Sequence, residues 1–134
     1  HCSAERVLSG PGLVNLYGTL AELAGRSRPP AIAPEDVTNL AKQGDPLARK
    51  TLAMFFAMLG TVASNVALMT GARGGVYIAG GIVPRLVEQI GKSEFRQRFE
   101  AKGRYGQYLA AVPTFVITAQ LPAFRGLRYL LGYR

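Results

Sequence analysis

Gly74-Gly75-Val76-Tyr77-Ile78-Ala79-Gly80-Gly81-Ile82-Val83-Pro84-Arg85 is the stretch whose reading decides the fold. Val76 to Ile78 are β-branched or aromatic, the composition of a short buried strand. Gly80-Gly81 then turns the chain, and Ile82 to Ile90 carries helical spacing, so the unit reads strand, Gly-Gly turn, helix. Glycine admits a close approach of the backbone to a ligand and tolerates dihedrals that a side chain forbids. The helix start that follows offers free N–H groups and a positive dipole end. Many buried strands end in glycines, so the turn taken alone does not separate a nucleotide edge from an ordinary strand end.

Working outward, the 134 residues amount to one domain's worth of chain, enough to bury a core. A hydrophobic content of 49% against 18% charged residues excludes a disordered chain. The start, His1-Cys2-Ser3-Ala4-Glu5, has no basic segment followed by an apolar run, hence no signal peptide pattern, and lacks an initiator Met, as expected for a piece of a longer chain. A single Cys excludes an internal disulfide and suits a reducing cytoplasm. With the one His and the one Cys adjacent at His1-Cys2, a zinc site or a Cys–His catalytic pair has no material.

The formal net charge of +8 raises the question of a nucleic-acid partner. Residues 1–84 carry seven basic and five acidic side chains, and residues 85–134 carry nine and three, so the excess is C-terminal. Lys92, Arg96, Arg98, Lys102 and Arg104 lie close together, but Glu94 and Glu100 interrupt them and no helix-turn-helix or RNP-like pattern accompanies them. A solvated helix face is the preferred reading over nucleic-acid binding.

Ser3 is a candidate N-cap with Glu5 in the first helical turn, where a carboxylate gains from the helix dipole. Equally, a carboxylate can accept charge-assisted hydrogen bonds from two vicinal hydroxyls of a sugar, and the residues alone leave both readings of Glu5 open. Ser9-Gly10-Pro11-Gly12 reads as a tight turn that could line a cleft, followed by a helix with Leu13, Leu16, Tyr17, Leu20, Leu23 and Ala24 on one face. Residues 25–33, with Pro29-Pro30, form a surface connection. Pro34-Glu35-Asp36 opens a short helix, and Gly44-Asp45-Pro46 ends it and starts another with Asp45 as N-cap.

Thr51 to Ala72 holds no charged residue over 22 positions, long enough to span a bilayer. Its Thr, Ser, Asn and Gly content and the lack of an aromatic belt favour the central helix of a core over a membrane span. Met54, Phe55, Phe56 and Met58 are then packing residues, and Asn65 is the side chain that needs a buried partner. Beyond the helix containing Leu86 and Ile90, a second helix is expected around Phe95 and Phe99, then the Tyr105 to Leu109 segment and a second buried strand over Thr114–Thr118. A last helix runs from Leu121-Pro122 through Leu127, Leu130 and Leu131. Two strands, each followed by a helix, give an α/β chain in which helices dominate.

Ser3-Ala4-Glu5-Arg6-Val7-Leu8-Ser9-Gly10-Pro11-Gly12-Leu13 and Ala79-Gly80-Gly81-Ile82-Val83-Pro84-Arg85, with a helix-rich segment between them, resemble the C-terminal part of the bacterial glucokinase family. The resemblance covers nearly the whole chain. It implies the C-terminal half of an actin-like ATPase (ribonuclease H-like) domain, a single unit over 1–134. The family's N-terminal Asp-Gly-Gly-Thr-Asn phosphate loop and the Asn-Asp pair with the catalytic base lie outside it. It further implies ATP-dependent phosphorylation of glucose to glucose 6-phosphate with ATP and Mg2+, a cytoplasmic homodimer, no membrane partner, and a fragment that is inactive alone. Of the site residues, it implies Glu5 as a glucose ligand and Gly80 and Gly81 as the nucleotide turn, with no catalytic or metal residue in this stretch. The family's sugar-binding His belongs to an upstream segment and is not His1. The sequence departs from the family at Ala123-Phe124-Arg125-Gly126, bulkier than the family's Gly- and Ala-rich helix start, and the resemblance assigns no ligand contact there. The rival reading is a non-catalytic, kinase-like regulatory or nucleic-acid-associated module.

Overall fold

The computed structural model describes residues 3–29 and 31–132; His1, Cys2, Pro30, Tyr133 and Arg134, and with them the His1-Cys2 pair, lie outside the described residues. A short 3-10 turn over Ala4–Arg6 leads to α1 (Gly10–Leu23), α2 (Pro34–Gln43) and the long α3 (Pro46–Thr70). Then come β1 (Val76–Ile78), a 3-10 turn over Val83–Arg85, α4 (Val87–Gly91), α5 (Phe95–Glu100), a 3-10 turn over Gly103–Tyr105, α6 (Gly106–Ala110), β2 (Thr114–Val116) and α7 (Pro122–Leu130).

The helix starts follow the cap chemistry of the sequence. Asp45 Oδ1 accepts the Ala48 N–H at 2.7 Å, and Asp36 Oδ2 reaches back to the Ala33 N–H at 2.8 Å. Ser9 is the N-cap of α1, with Pro11 at its second position, so Gly10 to Gly12 form the first turn of the helix rather than a separate turn before it. Ser3, by contrast, makes no side-chain capping bond.

α3 is the element the other helices pack on: α1, α2 and α5 all lie against it. Phe55 and Phe56 are buried in edge-to-face contact at 5.7 Å, and Met54 and Met58 pack at the margin of the core. The helix is long and apolar enough to cross a membrane. Here it is the spine of a protein core, and its buried polar side chains are satisfied along its own backbone. Thr51 Oγ1 donates to the Leu47 carbonyl at 2.9 Å and Ser64 Oγ to the Thr61 carbonyl at 2.8 Å. Asn65, expected to be buried, is exposed and accepts a hydrogen bond from Lys102 Nζ at 2.6 Å.

β1 and β2 form a two-stranded parallel sheet in the register Val76–Thr114, Tyr77–Phe115, Ile78–Val116. Ile78 faces the core, while Tyr77 and Phe115 stack on the outer face at 5.0 Å and remain 63% and 44% exposed. β2 is therefore half open rather than buried, because the helices cover one face of the sheet only.

Three further expectations differ. The helical spacing over Ile82–Ile90 resolves into the Val83–Arg85 turn and α4, broken at Leu86. Leu86 marks the break: its backbone, at φ −128° and ψ 30°, leaves helical geometry, and its N–H closes the first turn on the Val83 carbonyl at 2.9 Å instead of continuing the helix. Leu23 and Ala24, placed on the inner face of α1 by periodicity, are exposed at the helix end, where Leu23 reaches 79%. Finally, α7 forms as predicted but buries none of its residues, leaving Phe124, Leu127 and Leu130 in solvent.

Candidate functional site

The Gly-Gly turn emerges from β1 with Gly80 at φ 114°, a conformation that side chains rarely adopt. A methyl group built on either Gly80 or Gly81 would meet nothing within 4 Å. The backbone dihedral thus accounts for Gly80, whereas among the described residues neither packing nor backbone geometry calls for a glycine at 81. Its bare face opens on a cleft of about 400 Å3. The other lining segments include Leu8, Ser9 and Gly10 at the start of α1, with Glu35 and Arg85 completing the walls. A smaller hollow of about 160 Å3 shares Gly81 and Arg85 with the cleft and is lined further by Thr38 and Asn39 of α2.

Fold and chemistry meet in the way α1 begins. The Ser9 hydroxyl donates to the main-chain carbonyl of Glu5 at 2.7 Å and accepts the Gly12 N–H at 3.0 Å. Glu5 sits in the middle of the Ala4–Arg6 turn, exposed, and its carboxylate makes no hydrogen bond or ion pair to any described residue. It is not among the residues lining the cleft; the nearest lining residue in sequence is Leu8. The structure therefore brings Gly80 and Gly81 together with Ser9 and Gly10, and leaves Glu5 on the turn that feeds into that wall.

Arg85 Nη1 lies 3.5 Å from Glu35 Oε1, linking the segment after the Gly-Gly turn to α2. Both side chains are more than half exposed, so this ion pair ties the walls together only weakly. Glu35 was read from sequence only as a first-turn helix acid and Arg85 only as the end of the glycine stretch; neither position carries a one-dimensional sign that the two meet. Ser9 did carry such a sign, since Ser before Gly-Pro is the pattern of a capped helix.

The basic C-terminal cluster is less a free surface than its composition implies. Arg96 is half-buried and donates to the carbonyls of Val112, Leu109 and Ala110 at 2.8, 3.1 and 2.9 Å, and Lys102 is engaged with Asn65. A larger hollow of about 570 Å3, with Lys42, Arg49 and Lys92 in its lining, contains none of the predicted site residues. Among the described residues, no three of His, Cys, Asp and Glu come together as a metal-binding set.

The glucokinase family model matches residues 1–132. The chain belongs to the glucokinase family. It is 54% identical over 132 residues to a glucokinase of Paramagnetospirillum magneticum, covering 98% of this chain and 41% of that protein. It is 51% identical over 127 residues to a glucokinase of Neisseria meningitidis serogroup B, covering 94% of this chain and 38% of the relative. Among solved structures, a glucokinase from an Antarctic psychrotroph superposes with a TM-score of 0.86 at 35% identity, over 98% of this chain and 41% of that one. The chain thus spans about two fifths of the length of the curated glucokinases it matches, in their C-terminal part. The fold is the helix-rich, two-stranded C-terminal part of an actin-like domain, as the resemblance implied.

Proposed function

We propose that this chain forms part of the sugar and nucleotide sites of a glucokinase that transfers the terminal phosphoryl group of ATP to the 6-hydroxyl of glucose. The observation that carries this reading is the cleft in which the Gly80-Gly81 turn faces the Ser9-Gly10 start of α1. Family membership supplies the reaction class; the cleft supplies a place for it. Phosphoryl transfer depends mainly on positioning the reactants and on neutralising charge over the transferred group. Within that scheme Gly81, whose bare face needs no side chain and opens into the cleft, lets the adenosine lie against the backbone. Glu5 offers a carboxylate with no partner among the described residues, able to accept hydrogen bonds from two sugar hydroxyls. Mg2+ would be carried by the triphosphate rather than by a cage of this chain's described side chains, which offer no ligand cluster. The phosphate loop and catalytic base are assigned to the rest of the protein, so the isolated chain is expected to be silent. A cytoplasmic homodimer of one continuous domain belongs to the same reading.

The test is hexose phosphorylation by the full-length protein with ATP and several hexoses, repeated with Glu5→Gln. Glucose-selective turnover with a raised glucose KM and an unchanged ATP KM in the variant is the expected result. An unchanged glucose KM overturns the assignment of Glu5, and absence of turnover in a folded, ATP-binding protein overturns the enzyme.

A further inference from the structure

Two features hold the turn that carries Glu5 close against the start of α1. The first is the Ser9 hydroxyl, which bridges the Glu5 carbonyl at 2.7 Å and the Gly12 N–H at 3.0 Å and so ties the turn to the first turn of the helix. The second is the absence of a side chain at Gly12. A methyl group there would come within 2.7 Å of the Val7 carbonyl carbon, 2.8 Å of its Cα and 2.9 Å of the Arg6 carbonyl carbon. These are backbone atoms, so no rotamer change can relieve the overlap; the Arg6–Val7 segment would have to move off the helix. Gly12 itself is buried in a regular helix and has no positive φ, which leaves close approach as the structural reason for glycine there.

We propose that Ser9 and Gly12 are positioning residues for sugar recognition: together they set where the Glu5 backbone lies and hence where its carboxylate is presented. The inference rests on the reading of Glu5 as a sugar ligand. Hydrogen-bond recognition of vicinal hydroxyls has a narrow geometric tolerance, and a misplacement of about 1 Å is enough to cost up to 100-fold in a positioned reaction. Neither residue has to touch the sugar. Ser9 lines the cleft, but its hydroxyl is already committed as donor to Glu5 and acceptor from Gly12.

The experiment compares Ser9→Ala, Ser9→Thr, Gly12→Ala, Glu5→Gln and the double variant Ser9→Ala/Glu5→Gln in the full-length protein. Glucose KM, ATP KM, kcat and melting temperature are measured for each. Ser9→Ala and Gly12→Ala are each expected to raise the glucose KM about 5- to 50-fold while the ATP KM stays within about two-fold, and Ser9→Thr, which keeps the hydroxyl, restores the glucose KM. If Ser9 acts through Glu5, adding Ser9→Ala to Glu5→Gln produces no further rise in glucose KM. A full additional rise in the double variant, or an ATP KM that climbs with the glucose KM, overturns the inference while leaving Glu5 as a ligand. So does a melting temperature that falls with both KM values untouched. Should Glu5→Gln itself leave the glucose KM unchanged, the ligand reading fails first and takes this inference with it. Ser9→Ala keeps the test decisive if Gly12→Ala does not fold.

Discussion

Gly60 in the middle of α3 lies directly beneath the backbone carbonyl of Phe95 at the start of α5: a methyl group built at residue 60 would overlap the Phe95 oxygen. This contact sets how closely the two helices approach, and it sits where Phe95 and Phe99 enter the core. Gly60→Ala is expected to force α5 outward and destabilise the fold by about 1–3 kcal/mol, the usual range for overpacking. Urea denaturation of wild type and variant checks it; an unchanged midpoint would mean that the helices separate without loss.

The two glycines of the turn should separate cleanly by experiment. Gly80→Ala places a side chain at a φ of 114° and is expected to cost about 1–3 kcal/mol in denaturation. Gly81→Val meets open space, so it should leave the unfolding midpoint nearly unchanged and raise the ATP KM of the full-length enzyme. A Gly81→Val variant that unfolds early and binds ATP normally would reverse the assignment of the two positions.

Arg96 is expected to be the most consequential cation of the basic cluster. Its guanidinium closes the end of α6 through three carbonyls, pairs with Glu100, and lies 5.0 Å from the Phe99 ring centre. Arg96→Ala should cost about 2–4 kcal/mol, since the half-buried Val112 and Leu109 carbonyls and the more exposed Ala110 carbonyl lose a charged donor at once. Arg96→Lys should recover little, because a single ammonium cannot reproduce the planar fork. Thermal melts of the three proteins give the answer.

Lys102, by contrast, meets Asn65 at the surface. Lys102→Ala is expected to shift stability by no more than about 0.5 kcal/mol in the same melts. A large loss would show that the uncharged face of α3 depends on that one donor.

The contrast between Arg96 and Lys102 also marks how far the sequence could be read. Both appeared as members of one basic cluster, because charge counts carry no direction; one turned inward and the other did not. The same limit explains Asn65, assigned a buried partner because it falls in a 22-residue uncharged run, although such a run says nothing about which side of the helix faces water. Periodicity found the inner face of α1, Pro and acidic residues found the start of α2, Asp45 was legible as the cap of α3, and β-branched composition found β1 and β2; the Ser9 cap was read instead as a tight turn. Periodicity also found the apolar stripe of α7, but a stripe of Leu127 and Leu130 reveals only that a face is apolar, not what covers it. In the site, Gly80 and Gly81 were legible as a turn, and Glu5 was singled out by family resemblance rather than by spacing. The close approach of Gly12 to Val7 was invisible, since lack of space is a three-dimensional property.

The tether between Ser9 and Glu5 spans four residues, whereas the strand pairing that presents the Gly-Gly turn joins Val76 to Thr114 across α4, α5 and α6. Local contacts close rapidly, and distant ones wait for the loop between them to be organised. The acid-bearing corner can therefore assemble early, almost as α1 nucleates, while the glycine wall is finished only when β2 docks. During refolding the corner would gain hydrogen-exchange protection before β1 does, so the two walls of the cleft reach their final form at different times.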